Sequence, residues 1–259
     1  MPNLILRVVL VVAVAIGAKL LFHSLGWEIL SLSPLFSGIV AANVFVMGFL
    51  LSGVLADYKE SERLPGELAA SIETIAEEMV AIHRTSNAPT ALQCVVDLRG
   101  LANDILDWLH KKHRTHDLLD DLNRIGDYFV AVEKFTQANF IVRLKQEQSA
   151  IRRVLIRIHS VRETSFVASG YLAAHVTTAL VGLGLVLVKI DPFYESLFFV
   201  GVIGFLLTFL ILLIHDLDNP FGYYEAGSNE DVSLKPLEDV VARLDHRLNE
   251  PRTQAGNTG

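Results

Sequence analysis

Apolar residues gather in two pairs of long runs, separated by a stretch in which they recur at helical spacing. The first run covers residues 4–22, with Arg7 and Lys19 near its ends. The second lies within the uncharged stretch 29–56, where Pro34 stands near the start and suits the first turn of a helix. Residues 166–188, also uncharged, form the third run, and residues 196–214 the fourth, closed by His215 and Asp216. A helix needs about 20 mainly apolar residues to cross a bilayer, and each run meets that length. Four transmembrane helices are therefore predicted. A cleaved signal peptide competes for the first run, which has Arg7, an apolar core and small residues at Ala13, Ala15 and Ala18. A retained helix is the preferred reading, because Lys19 at the end of the run can snorkel to the interface.

Between the pairs the pattern is helical throughout. Leu64-Pro65-Gly66-Glu67 reads as a helix start, with Pro early and Glu in the first turn. Leu68, Ile72, Ile75, Met79 and Ile82 follow at alternating spacings of four and three, one apolar stripe with Glu73, Glu77 and Glu78 on other faces. The polar stretch 85–90 breaks this pattern. A second helix is predicted from about 91 to 112, through Leu98, Leu101, Ile105 and Trp108, and a polar break at 113–116 ends it. From Asp117 a single long helix is expected almost to the third run, with Leu118, Leu122, Ile125, Phe129, Val132 and Phe135 as one stripe and Ile151, Leu155, Ile158 and Val161 as another. A helix of that length is marginal alone, so its stripes must bury against other helices or other subunits. No strand alternation of useful length is present. The predicted fold class is all-α: four transmembrane helices with a helical bundle between the second and third.

Composition narrows the class. The 259 residues are 51% hydrophobic and 20% charged, with a mean hydropathy of +0.40. Their uneven distribution excludes a single soluble domain, and the abundance of Leu, Ile, Val and Phe excludes disorder. A formal charge of -7 argues against nucleic-acid binding. The link between the first two runs holds no Lys or Arg and that between the last two only Lys189, whereas the stretch from Lys59 to Arg162 holds most of them. The positive-inside rule then puts both termini and the central block in the cytoplasm of a bacterial-type inner membrane protein. The expected organisation is residues 1–57 as the first two transmembrane helices, 58–165 as a cytoplasmic helical region, 166–215 as the other two helices, and 216–259 as a cytoplasmic segment. Residues 254–259 are expected to be disordered.

No catalytic motif emerges: there is no Walker loop, no His-Glu-x-x-His and no Gly-x-Ser-x-Gly, so no enzyme, cofactor or metal is expected. Gly182-Leu183-Gly184 lies within an apolar run and reads as a helix-packing feature. Cys94, the one cysteine, reads as a buried structural thiol. His110, His113 and His116 near Asp117, Asp120 and Asp121 are either metal ligands or, as the local break favours, a solvated turn. His83 and His159 read as single surface-helix histidines. His175 and Asn43 lie at membrane depth, where a functional role and a helix-to-helix hydrogen bond are equal contenders. On the second run Ala41, Phe45 and Phe49 share one helix face, and Asn43, Gly48 and Ser52 add small or polar positions. A Phe stripe serves packing or lipid contact, or else a ring of Phe from several subunits that gates an axial pore by dewetting.

Phe45-Val46-Met47-Gly48-Phe49 followed by Leu64-Pro65 resembles the second-span signature of bestrophins, and Asn219-Pro220-Phe221-Gly222 is similar to the element that ends their membrane domain. Glu163-Thr164-Ser165-Phe166 leading to Tyr171 resembles the approach to the third span in bestrophin-like bacterial proteins. Order and spacing agree over about residues 30–240. The resemblance implies a homo-oligomeric, pentameric ion channel in membrane lipid, passing small anions, chloride among them, or monovalent ions. Its pore neck would match Ala41, Phe45 and Phe49, with Ala41 in place of a bulky residue. Animal bestrophins follow the last motif with a run of acids that forms a calcium clasp. Here Tyr223-Tyr224-Glu225-Ala226-Gly227 follows, with Glu230 and Asp231 beyond, so calcium binding is not carried over. The alternative is a membrane-anchored helical scaffold that docks partners through the 68–82 stripe and the long helix.

Overall fold

The computed structural model describes residues 2–163, 168–224 and 231–249, and within them the chain is almost wholly helical. Four helices long and apolar enough to cross a membrane begin at Leu4, Pro34, Ser169 and Phe193. The third run was expected from residue 166, but 166–167 lie outside the described residues, as do Thr164 and Ser165 of the quoted motif, Glu225, Glu230 and residues 254–259. The chain divides into two compact units.

The first unit takes in the described residues of Met1–Lys59, Thr164–Pro220 and Glu225–Asp231. It contains α1 (Pro2–Ser24), most of α2 (Pro34–Ser61), α7 (Ala168–Leu187) and α8 (Phe193–Leu217). These helices are apolar on all faces, so their inner surface is chosen by fit and not by an amphipathic stripe. Met47, Leu50 and Val54 of α2 pack with Ala174, Val181 and Leu185 of α7 and with Val200, Leu207 and Leu217 of α8. Leu6, Leu10, Val14, Leu172, Leu180 and Phe198 stay exposed, an outer surface that suits lipid and not water. A two-residue parallel pairing joins β1 (Leu30–Ser31) to β2 (Val188–Lys189). Two residues are too few to leave an alternation in the sequence, which is why no strand was predicted.

Gly184 does serve packing, whereas Gly182 faces open space. A Cβ on Gly184 would stand 2.5 Å from the Phe36 ring of α2, and one on Gly182 would meet nothing within 4 Å. Gly184→Ala is expected to cost roughly 1–3 kcal/mol through overpacking. Gly182→Ala should be neutral or slightly stabilising, since Ala is the better helix former. Thermal unfolding of the two variants in detergent checks this, and equal melting temperatures would contradict it.

The second unit takes in the described residues of Glu60–Glu163, Phe221–Tyr224 and Val232–Gly259. It contains α3 (Leu64–Ser86), α4 (Pro89–Leu109), α5 (Thr115–Val132), a 3-10 turn (Glu133–Phe135), α6 (Ala138–Glu163) and α9 (Lys235–Asn249). Pro occupies the first turn of both α3 and α4, where its missing N–H costs nothing, and Asn87 ends α3 in the left-handed conformation. The predicted stripes are the core: Leu68, Ile72, Ile75, Met79, Leu98, Ile105, Leu118, Leu122, Ile125, Phe129, Ile151, Leu155 and Ile158 are all buried.

The single helix expected after Asp117 is in fact two. α5 stops at Val132, Thr136 is fully extended, and α6 starts at Ala138. Cross-links between the two run in antiparallel register: Lys145 Nζ donates to the Gly126 carbonyl at 3.2 Å, and Gln148 Nε2 to the Leu122 carbonyl at 2.6 Å. A continuous helix could not turn its two stripes toward each other, so burying both requires the reversal. Phe135 falls in that reversal and is 40% exposed, which removes it from the stripe assigned to it. The second helix also ends earlier than expected, at Leu109. Lys111 has a positive φ of 59°, and α5 begins at Thr115, within the predicted break.

Cys94 is buried, and that burial, reinforced by the charge of Asp97, pushes its thiol well above the ordinary range. It is an inert core thiol. Tyr128 donates to Asp97 at 2.6 Å. That hydrogen bond, aided by burial, raises the phenol to about 12. Arg157 forks onto Glu60 at 2.9 and 2.7 Å and holds its carboxyl below the usual range.

Candidate functional site

α2 has two unlike faces. Met47 and Leu50 are buried against α7 and α8, with 0% and 2% exposure. On the other side Phe45 is 77% and Phe49 64% exposed. Ala41, Gly48 and Ser52 are exposed along the same side. Spacings of four and three bring these positions onto one stripe. No charged residue interrupts it, because the stretch 29–56 contains none. The face therefore combines two large apolar rings with small side chains, and it is exposed within its own unit.

Asn43 points the other way. It is 2% exposed, its Nδ2 donates to Thr178 Oγ1 at 3.1 Å, and its Oδ1 accepts from Thr177 Oγ1 at 2.8 Å. Of its two readings, the structure supports the helix-to-helix hydrogen bond. With the amide satisfied on α7, no buried polar group is left over on this helix face. His175 is exposed, and its Nδ1 lies 2.8 Å from the Tyr171 carbonyl of the preceding turn.

In the motif after α8, Asn219 is half-buried and Pro220 buried at the end of the first unit. Phe221 and Gly222 are buried in the second. The next two residues are held by a ring and a cation of the turn after α4 and by a cation of α6. His110 lies 5.4 Å from the Tyr223 ring, and Lys111 stands 3.6 Å over Tyr224. The Arg162 guanidinium lies 5.0 Å from the Trp108 ring and 5.7 Å from Tyr224, and Arg162 Nη1 donates to the Trp108 carbonyl at 3.0 Å. The Lys111 and Arg162 contacts with these rings are cation–π in type. Nothing in the sequence distinguishes Lys111 or Arg162 from the other bases.

His113 belongs to an exposed turn, and His116 reaches Asp120 at 3.0 Å as a solvated pair one turn on. Among the described residues no three His, Cys, Asp or Glu converge as a metal site.

A polar knot at the end of α1 went unread in the sequence. Lys19, assigned there to the membrane interface, is fully buried instead. Its Nζ donates to the Val186 carbonyl at 3.2 Å and to the Val188 carbonyl, and it lies 2.6 Å from Glu28 Oε1. His23 meets Glu28 at 2.8 Å and stacks on Phe193 at 3.7 Å. Burial by itself would raise the Glu28 carboxyl, but hydrogen bonds from Lys19 and His23 outweigh it and hold the group below its ordinary value.

No family model matches the sequence, and no curated protein matches it. Solved structures do match. A bacterial bestrophin homologue from Klebsiella pneumoniae superposes with a TM-score of 0.74 at 18% identity, covering 96% of this chain and 98% of that one. A substituted form of that homologue gives 0.76 at 17% identity, covering 95% and 99%. A structure described as a membrane protein gives 0.75 at 18% identity, covering 96% and 100%. The likeness extends over nearly the whole of each chain and includes the four apolar helices as well as the helices between them. This chain is an all-α membrane protein with the fold of the bacterial bestrophin homologues.

Proposed function

We propose that the chain is one subunit of an oligomeric ion channel whose axial pore is lined by α2, with Ala41, Phe45 and Phe49 forming the neck. The observation that carries this reading is the free face of α2, where two Phe rings are 77% and 64% exposed while the opposite face is buried. Repeated around an axis in a homopentamer, that face makes a narrow apolar passage that opens by wetting. Gly48 and Ser52 let neighbouring copies approach closely. Asn43 stays behind the pore wall and anchors α2 to α7. The fold shared with a bacterial bestrophin homologue supports the same reading.

The permeant species on this reading are small anions or monovalent ions. Both termini and residues 58–165 face the cytoplasm, in keeping with the Lys and Arg between the second and third spans. Residues 1–57 and 166–215 form the membrane part, and 216–259 return to the cytoplasmic side. One of the two docking surfaces of the scaffold alternative, the stripe from Leu68 to Ile82, is buried within its own unit.

Planar-bilayer recording of the purified protein, paired with a subunit count in detergent, tests the proposal. Discrete currents from a ring-shaped oligomer are the expected result. A dimer without an axial opening would overturn it, as would a confirmed ring that stays silent in several salts.

A further inference from the structure

In the second unit, α3 and α9 flank a cavity of about 470 Å³ whose polar lining includes Arg84, Arg243, His246, Arg247 and Glu77. We propose that this groove binds the phosphate group of a phosphate monoester, either a free metabolite or a lipid headgroup. Three guanidiniums and an imidazole meet here in a chain whose formal charge is -7. Arg243 forks onto Glu73 at 2.8 and 3.0 Å, and Arg247 reaches Glu77 at 2.9 Å. Two carboxylates thus face three guanidiniums, and Arg84 is the one left over. It is exposed and makes no ion pair among the described residues.

Geometry favours a multivalent oxyanion over a monovalent ion. Arg84 lies seven residues after Glu77, two turns along the same face of α3, while Arg243, His246 and Arg247 share one face of α9. Arg243 uses Nε and Nη2 on Glu73, and Arg247 uses Nη2 on Glu77, so each keeps N–H donors for a further acceptor. Forked guanidinium donors match phosphate oxygens in pairs. The cavity exceeds what a bare phosphate fills and lies within the usual range of small-molecule pockets, about 300–1,000 Å³. Val80 and Ala81 give it an apolar stretch for the organic part of the ligand.

Calorimetric titration of glycerol 3-phosphate into the full chain in detergent tests this. Saturable binding is expected for the wild type, weakened at least about tenfold by Arg84→Ala, consistent with loss of a charge-assisted pair. Arg153→Ala, an exposed change on α6, should leave affinity unaltered. Unchanged melting temperatures establish that the variants are folded, and Arg84→Gln replaces Arg84→Ala if the latter is not. Repeating the titration in phosphatidic acid nanodiscs and in phosphatidylcholine nanodiscs separates the sources. Binding blocked only by phosphatidic acid identifies a lipid headgroup, and binding retained in both identifies a free ligand. The proposal is overturned by no saturable signal in any of these media, by glycerol binding as well as its phosphate, or by equal affinity in Arg84→Ala.

Discussion

Alanine at both Phe45 and Phe49 is expected to raise the current carried by the reconstituted protein by about tenfold, equivalent to a barrier lowered by roughly 1.4 kcal/mol. The two positions are four residues apart, so around the proposed pore axis their rings would form layers separated by about 6 Å. Two consecutive apolar layers around a narrow axis hold water poorly, and an ion must then shed hydration to pass. Alanine widens both layers and shortens the dry stretch. Because both residues are mostly exposed within the subunit, at 77% and 64%, the change removes little internal packing. Melting temperature and oligomer size should therefore stay near those of the wild type. Currents that do not change in an intact oligomer would remove Phe45 and Phe49 from the neck. The wider channel reading would then rest on recording alone.

Lys19→Met should be the most destabilising of these changes, by about 3–5 kcal/mol, the usual cost of removing one partner from a buried ion pair. Methionine fills much the same volume but leaves the Glu28 carboxylate without its cation. It also strips a donor from the Val186 carbonyl at the end of α7 and the Val188 carbonyl of β2. Glu28→Gln should cost less, since Lys19 keeps both carbonyls and the amide oxygen remains an acceptor. In the double variant the losses should not add, because the two groups are one unit. Thermal unfolding in detergent measures all three. A Lys19→Met protein within about 1 kcal/mol of the wild type would show that the buried pair is not what holds this corner.

How far the sequence could be read varies with the kind of interaction. Spans and stripes were legible because each depends on residues close along the chain. Leu68, Ile72, Ile75 and Met79 needed only their own spacing to declare a buried face. Phe45 and Phe49 showed as a stripe for the same reason. The turn at Thr136 was not legible, since helical spacing resumes on both sides of it and no Gly or Pro marks it. Lys19 was misplaced because its partners are carbonyls 167 and 169 residues away, and carbonyls carry no sequence identity. Asn43 was left with two readings because its partners, Thr177 and Thr178, are 134 and 135 residues distant. The groove lined by Arg84, Arg243 and Arg247 had no sequence signal either, since its bases are divided between α3 and α9.

The sequence by itself determined the helical class, the four membrane-length runs, the apolar stripes of the central helices and the shared face of Ala41, Phe45 and Phe49. All of these are local periodicities, set by backbone geometry and the partition of side chains between oil and water. Only the tertiary structure decided which side of each membrane helix is turned inward. These helices are apolar all round, so the hydrophobic effect does not choose between their faces. The choice is made by fit and by a few polar contacts: the Gly184 gap that admits Phe36, the amide of Asn43 on α7, and the ammonium of Lys19 on the end of α7. Those contacts turn Met47 and Leu50 inward, and so leave Phe45 and Phe49 free.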